Sequence, residues 1–330
     1  MNDRICLLNA GQRLIIPQAL RSKKTGIKPP HKPKSKYMLP AEMNRRDMLR
    51  RSMQAAGWLA LGSHCAPLFA RPEKRRFKIG ACDWSIGKMG DPEAFAVARQ
   101  IELDGVQVSL GTEADKMKLR QPDVQRQFKA AAAKAGLQPA SLAIGELNNI
   151  PYKRDARTVE WVSDSIDVCQ ALGVRVVLLA FFGNGDLRGD KSGVDEAVRR
   201  LKAVAPKAEK AGVHLGIESW LSADQHCEIL ERVGSTAVKV YYDVCNSNDM
   251  GYDIYKEIRQ LGSRICEFHA KENGSLLGEG KVDFRKVRAA MDDIGYEGWI
   301  QIEGAVPAGK PMLESYQLNC KFLRGIFSAA

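Results

Sequence analysis

Four side chains able to hold a divalent cation close four successive apolar runs in the C-terminal half of the chain: Glu218, Asp243, His269 and Glu303. The runs read HLGIES (214–219), VKVYYDV (238–244), RICEFHA (264–270) and GWIQIEG (298–304). Three carboxylates and one imidazole make a hard, oxygen-rich ligand set, suited to Mn²⁺ first and then to Mg²⁺, Co²⁺ or Zn²⁺. The intervals between the four are 25, 26 and 34 residues. A (β/α)₈ barrel repeats one strand–helix unit about every 30 residues and carries its chemistry at the C-terminal strand ends. The four residues are therefore expected on strands five to eight, converging on one rim. That constellation predicts a metal-dependent enzyme with a small, oxygenated substrate.

The elements needed to position them recur along the chain from residue 77. Short β-rich runs alternate with longer amphipathic stretches. Strands are expected at 77–83, 104–110, 138–144, 174–181, 214–218, 238–243, 264–269 and 299–303. Helices are expected at 91–101, 122–135, 155–172, 193–211, 222–233, 252–261, 283–294 and 312–327. Ala171-Leu172-Gly173 and Lys210-Ala211-Gly212 repeat one device, a helix ended by glycine before the next strand. Eight such units favour a closed barrel over an open doubly wound sheet. Residues 111–121 read as a long polar loop. Neither a GxGxxG after a strand nor a Walker loop occurs, so a dinucleotide or NTP site has no sequence support.

Composition divides the chain. Residues 1–76 hold 17 Lys/Arg against 4 Asp/Glu, whereas 77–330 hold 33 against 35 of the 50 and 39 in the whole. The folded part is thus nearly neutral, which speaks against a nucleic-acid face. Within the basic head, Asn44-Arg45-Arg46-Asp47-Met48-Leu49-Arg50 resembles a twin-arginine export motif, and a short apolar stretch and small residues follow to Ala70. Residues 43–70 are expected to be a signal peptide addressing the protein to the periplasm. Residues 1–42 read as a disordered extension upstream of the natural start, and 77–330 as a single catalytic domain. No later run approaches membrane-spanning length. The cysteines show no CxxC pair or zinc spacing, and those in apolar runs are expected to be buried thiols.

Longer pieces carry a family likeness. Ile217-Glu218, Tyr242-Asp243-Val244-Cys245-Asn246, Phe268-His269-Ala270-Lys271-Glu272, Gly278-Glu279-Gly280-Lys281-Val282-Asp283-Phe284 and Gly298-Trp299-Ile300-Gln301-Ile302-Glu303 occur in this order. Residues 77–330 thereby resemble the xylose isomerase-like TIM barrel superfamily, which includes ketose 3-epimerases. The resemblance implies that Glu218 and Glu303 bind metal and also act as the acid/base pair, with Asp243 and His269 as the other ligands. It places Lys271 and Asn246 near substrate. An arginine found in ketose epimerases shortly after the ligand histidine is missing here, where Asn273-Gly274-Ser275 stands. Homo-oligomers are common among such relatives.

The residue types support the chemistry. A divalent ion on a carbonyl and neighbouring hydroxyl acts as a Lewis acid and stabilises an enediolate. Two carboxylates then move the proton, giving epimerisation or aldose–ketose isomerisation of a sugar. A lyase or dehydratase on a keto-sugar or inosose-like substrate would use the same residues. If export holds, an unphosphorylated substrate is favoured. The barrel also serves DNA-repair endonucleases that need a histidine-rich trinuclear zinc site. His214, His226 and His269 alone follow the basic head, with His214 at a strand start, and they do not supply one. Lys271 is either a substrate contact or an ion-pair partner of Glu272. Asn246 is either a contact or a turn residue. Glu146 and Trp84, after the third and first strands, either line the pocket or are a loop acid and a packed aromatic. Gly278-Glu279-Gly280 reads as the lead into the seventh helix rather than a phosphate loop.

Overall fold

The computed structural model describes residues 76–327. The expectations for 1–42 and 43–70 lie outside them. Eight parallel strands close into a barrel: β1 Phe77–Cys82, β2 Gly105–Ser109, β3 Gln138–Ile144, β4 Val176–Phe181, β5 His214–Ser219, β6 Val238–Asp243, β7 Ile265–Glu272 and β8 Gly298–Gly304. Each pairs with its neighbour in sequence, and β8 returns to β1 through registers such as Ile79 with Ile300. The helices are α1 Ala94–Ile101, α2 Pro122–Ala135, α3 Arg157–Leu172, α4 Lys191–Ala211, α5 Ala223–Val233, α6 Val244–Asp249, α7 Ile254–Leu261, α8 Phe284–Asp293 and α9 Met312–Phe327. The chain is a (β/α)₈ TIM barrel.

Strands of such a barrel are covered on both faces, so they read as nearly continuous apolar runs. β4, VVLLAF, is buried along its whole length. Successive side chains alternate between the barrel interior and the helix layer. The turns between helix and strand use the residues expected of them. Gly173 and Gly212 take φ of 74° and 65°, a left-handed conformation that closes α3 and α4.

Three departures from the sequence expectation matter for the rim. β7 continues three residues past His269, so Lys271 and Glu272 stand on the strand. The Asn246-Ser247-Asn248-Asp249 segment is helical rather than a loop, because the Asp243 carboxylate caps it by accepting from the Cys245 and Asn246 amides. The polar stretch 111–121 contains the buried side chains of Met117 and Leu119, which pin it to the core. Among the described residues no helix is long and apolar enough to cross a membrane. The six described cysteines are free; Cys82, Cys169, Cys245 and Cys320 are buried, and Cys227 and Cys266 half-buried.

Candidate metal centre

Strand register brings the four residues to one height. Asp243 pairs with His269 across β6 and β7, and Lys271 pairs with Glu303 across β7 and β8. One ligand atom from each of Glu218, Asp243, His269 and Glu303 lies within 4.8 Å of the others. His269 Nδ1 is 2.8 Å from Glu218 Oε1, 3.4 Å from Glu303 Oε2 and 3.8 Å from Asp243 Oδ2. The imidazole is fully buried, and Glu218 and Asp243 are nearly so. Asp243 uses Oδ1 to cap α6, while its buried Oδ2 accepts no hydrogen bond. A buried carboxylate oxygen without a donor is costly. Aimed into a ring of two further carboxylates and an imidazole nitrogen, it fits a cation.

A polar layer one step deeper orients the imidazole. Ser141 and Tyr241 each donate their hydroxyl hydrogen to Glu267 Oε1, at 2.6 and 3.0 Å. Their oxygens can then only accept from Gln107, whose Nε2 lies 3.0 Å from both. That turns Gln107 Oε1 toward His269 Nε2, at 2.9 Å. Nε2 therefore carries a hydrogen, and Nδ1 is the nitrogen presented to the carboxylates. A histidine fixed in this way through its far nitrogen is suited to metal ligation. The layer fits because Gly216 has no side chain: a Cβ there would lie 3.1 Å from the Cβ of Tyr241 and 2.7 Å from Cys266 Sγ.

The charges are strongly perturbed. Burial raises the Asp243 carboxyl well above the usual range, with Lys271 opposing and Glu303 and Glu218 adding to the rise. Burial would also raise Glu303, but His269 and Lys271 outweigh it and hold that carboxyl low. For His269, burial disfavours the cation, yet the Cys82 sulfur and the Glu218 and Glu303 carboxylates raise its pKa well above the ordinary value. Glu267, buried beneath them, is raised to about 7 by that burial.

Each of the other predicted residues has a definite place. Lys271 Nζ sits 2.9 Å from Glu303 Oε2 and 3.6 Å from Asp243 Oδ2, so its ion partners are these two. Glu272 turns instead to the following loop, accepting from the Lys281 and Val282 amides. Trp84 donates its indole N–H to Glu303 Oε1 at 2.9 Å. Its loop is tied down by Asp83, which accepts from the amides of Gly90 and Ser109 and from the Ser109 hydroxyl. Trp84, Glu146, Asn246 and Lys271 all line a cleft of about 360 Å³ over the cluster, together with Glu218 and Glu303. Phe182 and Trp220, which the sequence reading did not single out, line it too. Both follow a strand end by a residue or so, the only signal that could have marked them. His214 opens β5, away from the strand ends that carry the cluster. His226 is buried between Ser219 Oγ and the Ser222 carbonyl. His269 is therefore the one imidazole in the cluster.

Residues 95–326 match the family model described as xylose isomerase-like TIM barrel. A D-psicose 3-epimerase of Enterocloster bolteae is 27% identical over 135 residues, covering 38% of this chain and 44% of the relative. The chain thus spans less than half the length of that relative. A 2-epi-5-epi-valiolone 7-phosphate 2-epimerase of an Actinoplanes species is 24% identical over 65% of this chain and 82% of its own. Among solved structures, a D-psicose 3-epimerase with D-tagatose from Clostridium cellulolyticum H10 superposes with a TM-score of 0.65. It is 19% identical, and the match covers 76% of this chain and 99% of that one. These relatives are epimerases, a class of isomerase. The chain belongs to the xylose isomerase-like TIM barrel family.

Proposed function

We propose that this protein is a metal-dependent sugar epimerase or isomerase, with Glu218 and Glu303 as the acid/base pair. The observation that carries the proposal is the pairing of these two carboxylates. Both line the cleft, and both approach the same imidazole nitrogen, at 2.8 and 3.4 Å. Glu218, Asp243, His269 and Glu303 would hold the ion, Mn²⁺ by preference for an oxygen-rich set. The ion supplies Lewis-acid polarisation of a carbonyl and its neighbouring hydroxyl.

The chain's own groups handle the proton. One glutamate takes a proton from the carbon beside the carbonyl, and the other returns one to the opposite face for epimerisation. Return to the adjacent carbon gives aldose–ketose exchange. Trp84 and Lys271 hold the Glu303 oxygens 2.9 Å from their donors, so that carboxylate is orientated before substrate arrives. Lys271 also places a cation beside the oxygens on which negative charge develops. Asn246 offers a further polar contact on the cleft wall.

Product analysis by NMR in D₂O, with Mn²⁺-loaded protein and a panel of ketoses and keto-sugars, tests this. The expected product keeps the substrate's formula and gains deuterium at the reacting carbon. An unsaturated or deoxy product would instead establish an elimination by the same residues. We further propose, from the twin-arginine-type motif within 43–70, that the enzyme is exported to the periplasm. Cell fractionation of the Arg45→Lys/Arg46→Lys double variant is expected to find it retained in the cytoplasm.

A further inference from the structure

The cleft's own lining says which sugars it admits. Of the charged described residues that line it, Glu218 and Glu303 are committed to the proposed ion, which leaves Glu146 as the free acid and Lys271 as the single base. The Lys271 ammonium already lies 2.9 Å from Glu303 and 3.6 Å from Asp243, so it is matched before any ligand enters. A phosphate ester brings close to two negative charges. Sites that take one supply arginine forks, free lysines or open backbone amides. Among the described residues, the cleft lining contains no arginine.

The glycine-rich turn that might cradle a phosphate is also filled. The Lys281 and Val282 amides that follow Gly278-Glu279-Gly280 donate to the Glu272 carboxylate, at 3.2 and 2.8 Å. The carboxylate occupies the room left by Gly280, where a Cβ would fall 2.1 Å from Glu272 Oε2. The turn binds its own chain.

The rest of the wall suits an uncharged ligand. Phe182 and Trp220 meet edge to face with ring centroids 5.0 Å apart. The Arg188 guanidinium covers the Trp220 ring at 4.5 Å while paired to Asp186 at 2.8 Å, and so steadies the indole. Met89 adds an apolar side chain that is 47% exposed. Asn148 supplies an amide on the same cleft. Apolar rings with a few placed polar groups match a sugar, whose C–H faces pack on aromatics while its hydroxyls find carboxylates and amides.

We infer that the substrate is an unphosphorylated sugar, seated on the Phe182–Trp220 wall with hydroxyls toward Glu146 and Asn148. The inference rests on the proposal that the cleft holds a sugar, and it adds which class.

Equilibrium binding to the Mn²⁺-loaded full chain, at low ionic strength, tests it with free ketohexoses and their 6-phosphates. The free sugars are expected to bind at least about tenfold more tightly than their phosphates. Any 6-phosphate binding more tightly than its parent overturns the inference and leaves the epimerase proposal standing. Binding by neither series overturns both. Free-sugar binding without turnover supports the inference and contradicts the epimerase proposal. Trp220→Ala should weaken free-sugar binding about tenfold, Trp220→Phe much less, both with Mn²⁺ affinity unchanged. Equal sugar affinity in Trp220→Ala and the wild type contradicts the aromatic seat. Glu146→Gln should narrow the gap between free and phosphorylated sugar, and an unchanged gap contradicts its part in excluding the anion.

Discussion

The two halves of the barrel face the cleft with different chemistry. Strands β5 to β8 supply the charged atoms: Glu218, Asp243, His269, Lys271 and Glu303. Strands β1 to β4 and their loops supply the groups that touch those atoms from across the barrel and one wall of the space above them. Gln107 and Ser141 belong to β2 and β3, and Trp84, Glu146 and Phe182 follow β1, β3 and β4. Trp84 reaches across to Glu303, and Gln107 reaches across to His269. A closed sheet makes this division workable, because β1 lies against β8 and the interior brings β2 within reach of β7. A cluster of like charges thus needs a scaffold from the opposite wall as well as register on its own.

The largest effect is expected from neutralising the charged half. Glu303→Gln and Glu218→Gln each remove a proposed proton carrier and a candidate metal ligand, so turnover should fall by about 10³-fold or more. Activity within a few-fold of wild type in either variant would show that the pair does not move the proton. An equal test reaches the same centre from the other half. Gln107→Leu leaves all four candidate ligands in place but removes the carbonyl oxygen from the far nitrogen of His269, leaving it only the weak Cys82 Sγ contact at 3.3 Å. Apparent metal affinity, read by calorimetry on the metal-free protein, should drop about 10–100-fold. No change would mean that the β1–β4 side does not orient the imidazole.

Proton competition sharpens the picture further. His269 and Asp243 both have pKa values raised above their ordinary ones, so the cation-free centre holds protons that metal must displace. Affinity should therefore rise with pH and fall as pH drops, beginning well above the pH at which an ordinary carboxylate protonates. The loss approaches about tenfold per pH unit for each proton displaced. Calorimetry in buffers of different ionisation enthalpy should detect proton release on metal uptake, and pH-independent affinity would contradict it. The smallest effect is expected at Trp84→Phe. It keeps an aromatic ring but removes a hydrogen bond to a carboxylate, a loss of about tenfold in kcat at most. A larger loss would assign the indole a part in turnover beyond holding Glu303.

That Glu218, Asp243, His269 and Glu303 cluster is legible in the sequence because each candidate ligand ends an apolar run and the runs recur at the barrel's period. The scaffold half was not, since its polar residues stand singly inside strands. Gln107 in GVQVS and Ser141 in QPASLAI look like isolated exceptions until the barrel closes. A finer signal was present on the other side. Tyr241, Glu267 and Gln301 stand two residues before Asp243, His269 and Glu303. The alternation of a strand places each pair on the same interior face. A polar residue at each of those positions marks a second layer. The helix α6 was hidden for another reason: Asn-Ser-Asn-Asp has turn chemistry, and only the Asp243 cap commits it to a helix. β7 runs past its apparent end because Lys271 and Glu272, which have the look of loop residues, each pair with β8 in the ladder.

The central claim is that four strand-end residues form one cation site. Anomalous diffraction from crystals of the Mn²⁺-loaded protein tests it most directly. A single strong peak is expected within bonding distance of Glu218, Asp243, His269 Nδ1 and Glu303. A cluster free of anomalous density at saturating Mn²⁺, or an ion bound through His269 Nε2, would contradict it.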